Sequence, residues 1–188
     1  DVYYIDNSSD VVTELANEGN DTLITDRSVA DLDANLENVT LVGTSSLDVV
    51  ANAAANILTG NTGSNELYGL AGNDTIVAGD GDNVIASGDD DDNITAGSGN
   101  DSVDAGTGDD VVIITAGDNT VDGGDGADSV TTGAGADSIV GGEGDDTVAA
   151  GDGDNVISAG VGVDSITAGS GNDSIDAGAD DDVVVAGD

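Results

Sequence analysis

Every ninth residue from Asn65 to Asp182 is Asp or Asn, in fourteen consecutive places. Taken alternately, these residues fall into two rows. One is wholly acidic: Asp74, Asp92, Asp110, Asp128, Asp146, Asp164 and Asp182. The other is mixed: Asn65, Asn83, Asp101, Asn119, Asp137, Asn155 and Asp173. Ranked carboxylates can do two kinds of chemistry. A pair with separated pKa values can serve as general acid and base, whereas a row of oxygens can ligate a hard cation. The first reading lacks support, since the chain has no His, Cys or Lys and its serines, such as Ser102 and Ser138, recur in step with the acids. The array is therefore expected to hold ions, and no enzyme is expected.

Such rows need a scaffold that repeats with them. A period of nine runs from Gly60 to Val185 without insertion or deletion. Numbering each unit from Gly60, position 6 is the Asp/Asn residue and position 8 is aliphatic throughout, from Leu67 and Ile76 to Ile175 and Val184. Position 4 is Gly except at Asp90 and Asp180. The first half of a unit, as in residues 141–146, supplies glycines for a tight turn. The second half, as in Thr147-Val148-Ala149, reads as a three-residue strand with its β-branched residue turned inward. A strand so short cannot persist alone, but stacking every second unit makes two parallel sheets with a turn at each edge. The sequence thus predicts an all-β fold: a right-handed parallel β-roll (a β-solenoid) of two facing sheets with eighteen residues per coil. Seven such coils would be roughly 33 Å long at ordinary strand spacing.

Composition bounds the partners. The 188 residues carry 40 acids against a single base, Arg27, for a formal charge of −39. Polyanions repel nucleic acid and anionic membranes, and the longest apolar runs, such as Val111–Ile114, are too short to span a bilayer. With no Cys, disulfides cannot hold the fold. Composition alone would suit an acidic disordered spacer, but such a spacer has no reason to keep an aliphatic residue at every ninth place. A start at Asp1 without Met and an end at Asp188 inside a repeat are what a window from a longer chain would show.

The units read as G-G-x-G-x-D-x-U-x, most closely in Gly141–Ala149 (GGEGDDTVA) and Gly123–Thr131, with Ala at position 1 in units such as Ala96–Asp104 (AGSGNDSVD). In tandem they resemble the RTX (hemolysin-type) calcium-binding repeats of secreted bacterial proteins. That resemblance implies calcium ions between successive turns on one edge, held by position-6 side chains and backbone carbonyls of the glycine-rich turn. The fourteen Asp and Asn residues above are the metal-site candidates. Calcium suits them because it accepts six to eight oxygens in flexible geometry, whereas magnesium demands a tighter octahedron. Six gaps between seven turns on each edge would hold roughly a dozen ions in all.

The edges should differ. Asn offers a carbonyl oxygen without charge, so the all-Asp edge is expected to bind tightly and the mixed edge weakly, and Asn→Asp at 83, 119 and 155 should raise affinity. Acids at position 5, such as Asp82, Asp118 and Asp154, should point away from position 6. One inward aliphatic per unit is a thin core for a chain that repels itself. The roll is accordingly expected to be unfolded without calcium and to fold at the high calcium of the outside medium.

Residues 1–59 read as an irregular, calcium-poor β cap or spacer leading into the 60–188 roll. Ala51–Thr59 and Val42–Val50 keep the register with Asn56 and Leu47 at position 6. Ala16–Ile24 reads as a displaced repeat with Asp21 as a possible ligand, Asn35–Gly43 as strand, and Asp1–Tyr4 as the tail of a further unit. Tyr3, Tyr4 and Tyr68 are expected to be packing residues. One outer sheet face, bearing Thr75, Val77, Asn93, Thr95, Val111 and Ile113 and their successors, has no charge, whereas the other carries Glu66, Asp104, Asp122 and Asp176. The neutral face could pack against a lattice subunit or neighbouring domain. The function expected is a calcium-folded structural module of a secreted or cell-surface bacterial protein, of S-layer or adhesin type. The alternatives are an export and folding domain of an RTX toxin or exoenzyme and, less well supported because Thr alternates irregularly, an ice-binding module. Residues 69–113 match 141–185 at about two-thirds of positions, as when a spacer grows by copying.

Overall fold

The computed structural model describes residues 1–7, 9–15 and 19–187. Among the described residues, nineteen strands form two parallel sheets, one of eleven strands and one of eight, and successive strands alternate between them from Asp48 onward. The chain winds as a β-solenoid of about 10 turns with ~18 residues per turn. The eleven-stranded sheet runs from Val2–Ile5 to Val183–Val185, and the eight-stranded sheet from Asp48–Val50 to Ser174–Asp176.

The register explains why the nine-residue period makes this fold. Val103 stands opposite Val121, and Val121 opposite Ile139, each eighteen residues on. Position-8 side chains therefore stack in two files, one per sheet, and almost all are buried: Leu67, Ile76, Ile85, Ile94 and their successors to Ile166 are at most 2% exposed. Each buried aliphatic side chain contributes about 2 kcal/mol of transfer free energy.

Strands prove longer than the three residues the sequence suggests. Eight of them run six residues, as in Ser102–Thr107 and Thr120–Asp125. The parallel ladder continues through position 9 into the next unit, pairing Gly106 with Gly124. Alternation along a strand then turns position 1 inward as well. Ala78, Ala96, Ile114, Ala150 and Ala168 on one sheet, and Ala105 and Ala159 on the other, form these further buried files. The preference for Ala at position 1 was the visible sign of them.

The turns require left-handed backbone. At Gly124, with φ of 102°, an added Cβ would stand 2.0 Å from the carbonyl oxygen of Gly106 in the previous coil, so a side chain would clash in this turn, although Leu70 takes the equivalent place of an earlier unit at φ 86°. The two non-glycines at position 4, Asp90 and Asp180, adopt the same conformation at φ 78° and 84°. Asp is one of the few residues that enters this region at modest cost, and Asp90 Oδ2 accepts the Gly72 N–H at 3.1 Å.

Upstream, the eleven-stranded sheet continues through Ile57–Thr59, Asn38–Leu41, Thr22–Thr25 and Val2–Ile5. Its steps become irregular: Ile57 pairs with Asn38, Asn38 with Thr22, and Thr22 with Val2. Of the segment read as strand from 35 to 43, Asn38–Leu41 is strand. Of the displaced repeat at 16–24, residues 16–18 lie outside the described residues. Val29 bridges to Val49, and Leu32 N–H donates to Val50 O, so this segment lies along the first strand of the eight-stranded sheet. The tyrosines do not share one role. Tyr3 packs on the core, but Tyr4 is 74% exposed, because neighbours on a strand face opposite ways.

Candidate metal centre

Each position-6 residue sits where a glycine turn enters a strand, and from Asn65 to Asp164 its backbone N–H and C=O are both engaged. Asp110 is representative. Its N–H donates to Asp128 Oδ1 at 2.9 Å, and its carbonyl accepts the Ser129 N–H at 2.8 Å. Its own Oδ1 accepts the Asp92 N–H at 2.8 Å. The same link joins Asp74, Asp92, Asp110, Asp128, Asp146, Asp164 and Asp182 into one ladder along an edge. It joins Asn65, Asn83, Asp101, Asn119, Asp137, Asn155 and Asp173 into another. All fourteen sequence candidates are thus brought together, seven to an edge. Asp173 and Asp182, in the last coil, are only half-buried.

The second carboxylate oxygen is the telling atom. Oδ2 of Asp74, Asp92, Asp110, Asp128, Asp146 and Asp164 on one edge, and of Asp101 and Asp137 on the other, is buried without a hydrogen-bond partner. A buried carboxylate oxygen with nothing to offset its charge is costly. Its surroundings are other oxygens. A Cβ placed on Gly123 would stand 2.5 Å from both Asp128 Oδ2 and the Gly141 carbonyl oxygen, so two acceptors converge on one point. Gly141 repeats the arrangement with Asp146 Oδ2 and Ala159 O, each at 2.4 Å. Converging oxygens, partly anionic, are what a hard cation with many ligands requires. The residues present fit calcium.

Electrostatics point the same way. Burial, reinforced by neighbouring acids in the row, pushes the Asp74 and Asp110 carboxyls up to about 7. Asp128 and Asp146 rise to about 6, again mainly through burial. Burial also raises Asp92 and Asp101. These groups resist ionisation unless a positive charge enters the row.

The Asn side chains use their atoms differently. Their Oδ1 atoms accept the same backbone N–H as an Asp would, at 2.9 Å for Asn83 and 3.0 Å for Asn119 and Asn155. Their Nδ2 atoms donate to carbonyls: Asn83 to Gly79 and Gly81, Asn119 to Gly117, Asn155 to Gly151 and Gly153. Asn65 donates to Leu47 O at 2.9 Å.

A second ladder escaped the sequence reading. Exposed position-5 acids accept the N–H of the following coil, as from Asn100 to Asp82, Ala136 to Asp118 and Asn172 to Asp154. At position 3, Asp80 and Asp152 accept both N–H and hydroxyl from Ser98 and Ser170. These bonds hold the Asp80, Asp152 and Asp154 carboxyls below their ordinary range. The Asp-Asp and Asp-Asn doublets were its signal in the sequence. Upstream, Asp21 meets Asp1 and Glu14, with carboxylate oxygens within 4.8 Å of one another. Asp21 accepts from the Asp1 amine, and Glu14 from the Tyr3 hydroxyl.

A parallel β-solenoid whose turns carry rows of buried, cation-seeking carboxylates is a metal-binding repeat protein. The RTX calcium-binding nonapeptide repeat model, which spans four copies, matches residues 50–85, 77–112, 86–121, 113–148, 131–166 and 158–188. The chain belongs to that family and is a calcium-binding repeat module. No curated protein of similar sequence is found.

Proposed function

We propose that this chain is a calcium-folded structural module of a secreted or cell-surface bacterial protein, of S-layer or adhesin type, with no catalytic role. The observation that carries calcium-dependent folding is the file of partnerless Oδ2 atoms along the all-Asp edge. When bound, calcium would supply the positive charge those oxygens lack. Asp74, Asp92, Asp110, Asp128, Asp146 and Asp164, with Asp101 and Asp137 opposite, would hold it. Proteins with these repeats are typically secreted, and among the described residues no helix is long and apolar enough to cross a membrane.

The surface role is supported by the outer face of the eleven-stranded sheet. Its outward residues carry no charge from Val2 and Tyr4, through Thr40, Ile57 and Ile113, to Val183 and Val185. A neutral strip along a chain of charge −39 suits packing against a lattice subunit or neighbouring domain. The partnerless carboxylates equally favour the export-and-folding reading, and a catalytic domain in the same polypeptide would select it. Circular dichroism during calcium titration, reversed with chelator, tests the folding claim. A strand signal indifferent to chelation would sink it. Electron microscopy of calcium-loaded assemblies tests the surface role, which fails if the neutral strip faces solvent in every one.

A further inference from the structure

The mixed edge sets two chemistries side by side in one geometry. At Asp101 and Asp137 the atom beyond the backbone-bonded Oδ1 is a buried oxygen without a partner. At Asn83, Asn119 and Asn155 the corresponding atom is a nitrogen carrying two hydrogens. Asn83 Nδ2 reaches Gly81 O at 2.9 Å, Gly79 O at 3.3 Å and the next coil's Asp101 Oδ1 at 2.9 Å. Asn119 Nδ2 reaches Gly117 O at 2.8 Å and Asp137 Oδ1 at 2.9 Å. Asn155 Nδ2 reaches Gly151 O at 3.1 Å and Gly153 O at 3.2 Å. The partners settle which end of each amide is which. Exchanging O and N would set an N–H against the backbone N–H and an oxygen against carbonyls.

We infer that Asn83, Asn119 and Asn155 are amide struts that replace calcium, so that on this edge the ions are taken by the coils of Asp101 and Asp137. The inference rests on the calcium-binding reading and divides its sites. The amide satisfies the position-4 carbonyl in all three, the position-2 carbonyl as well at Asn83 and Asn155, and bridges Asn83 and Asn119 to the carboxylate of the next coil. Those are the two tasks of an ion there. It carries no net charge and is covalently present at any calcium concentration. Earlier asparagines also close carbonyls, though those of the coil before their own rather than of their own turn. Asn56 Nδ2 donates to Leu36 O and Glu37 O, and Asn65 Nδ2 to Leu47 O. The mixed edge therefore alternates permanent joints with calcium-closed ones.

Calcium bound per chain, measured by equilibrium dialysis on the whole chain, tests this. The triple variant Asn83→Asp, Asn119→Asp, Asn155→Asp should take about three more ions than wild type, one per amide replaced. The reverse variant, Asp101→Asn with Asp137→Asn, should take about two fewer and covers the case in which the triple variant does not fold. An unchanged count in either folded variant would mean that Asn already shares an ion through its carbonyl, and the strut assignment would fall while calcium binding stood. A wild type that takes no calcium would overturn the calcium-binding reading, and with it this division of the sites.

Discussion

The lead-in through Thr59 and the regular coils from Gly60 onward meet one requirement with different chemistry. In both, the turns point carbonyl oxygens inward and stack them on the next coil. The lead-in answers with neutral donors. Asn52 Nδ2 donates to Asp33 O and Leu36 O at 2.9 and 2.8 Å, and Asn56 Nδ2 to Leu36 O and Glu37 O. The regular coils answer mostly with acceptors, leaving Oδ2 after Oδ2 unmatched. Geometry follows chemistry. Pairing steps vary across the first four strands of the eleven-stranded sheet and become uniform where the carboxylate row begins, from Ile57 opposite Thr75. On the proposed reading, a repeated turn can be closed by its own amides or by a borrowed cation, and only the second would make folding depend on the medium.

Removing calcium should separate the two regions most sharply. In chelator, hydrogen exchange should accelerate in the strands from Thr75 to Ala168, while amides of Val39 and Leu41 keep more of their protection. Equal loss in both regions would erase the distinction. Single substitutions come next in size. Asp128→Ala strips a proposed ion ligand and leaves the buried Asp110 N–H without its acceptor, for about 3 kcal/mol of destabilisation in calcium. Asn56→Ala leaves the Leu36 and Glu37 carbonyls and the Asn52 N–H without it, for about 2 kcal/mol whether or not calcium is present. Urea unfolding of both variants at two calcium levels checks the contrast. A calcium-dependent penalty at Asn56 would count against it.

pH supplies a further test. Unfolded Asp titrates near 3.8, whereas folded Asp74 and Asp110 do so at about 7 and Asp128 and Asp146 at about 6. Between those values the calcium-free folded chain holds more protons than the unfolded one, so its stability should fall as pH rises from about 4 to 7. With calcium the sign reverses: protons compete for the same oxygens, and affinity should weaken as pH drops below about 7. Thermal melts with and without chelator across this range would show it. A calcium-free roll that gains stability toward pH 7 would contradict the assigned burial.

Much of this was legible in the sequence, for a physical reason. An unbroken period of nine with an aliphatic at position 8 fixes which residues share a sheet, an edge and a face, since side-chain direction alternates strictly along a strand. The rows from Asp74 to Asp182 and from Asn65 to Asp173 followed from counting, as did the neutral and charged faces. Position 1 was harder, because Ala reads equally as turn filler or core until the strand is seen to run through it, as at Ala105. What a side-chain atom touches was not legible at all. It depends on which way the neighbouring coil offers its N–H and C=O groups. The tertiary structure alone decided that position-6 Oδ1 faces the N–H of the preceding coil while position-5 carboxylates face the following one. From this it follows that Asp110 Oδ2 lacks a partner and that Asn83 meets the same carbonyl-lined turn with a nitrogen. Sequence set the rows, and the stacking of coils set what each atom in them must bind.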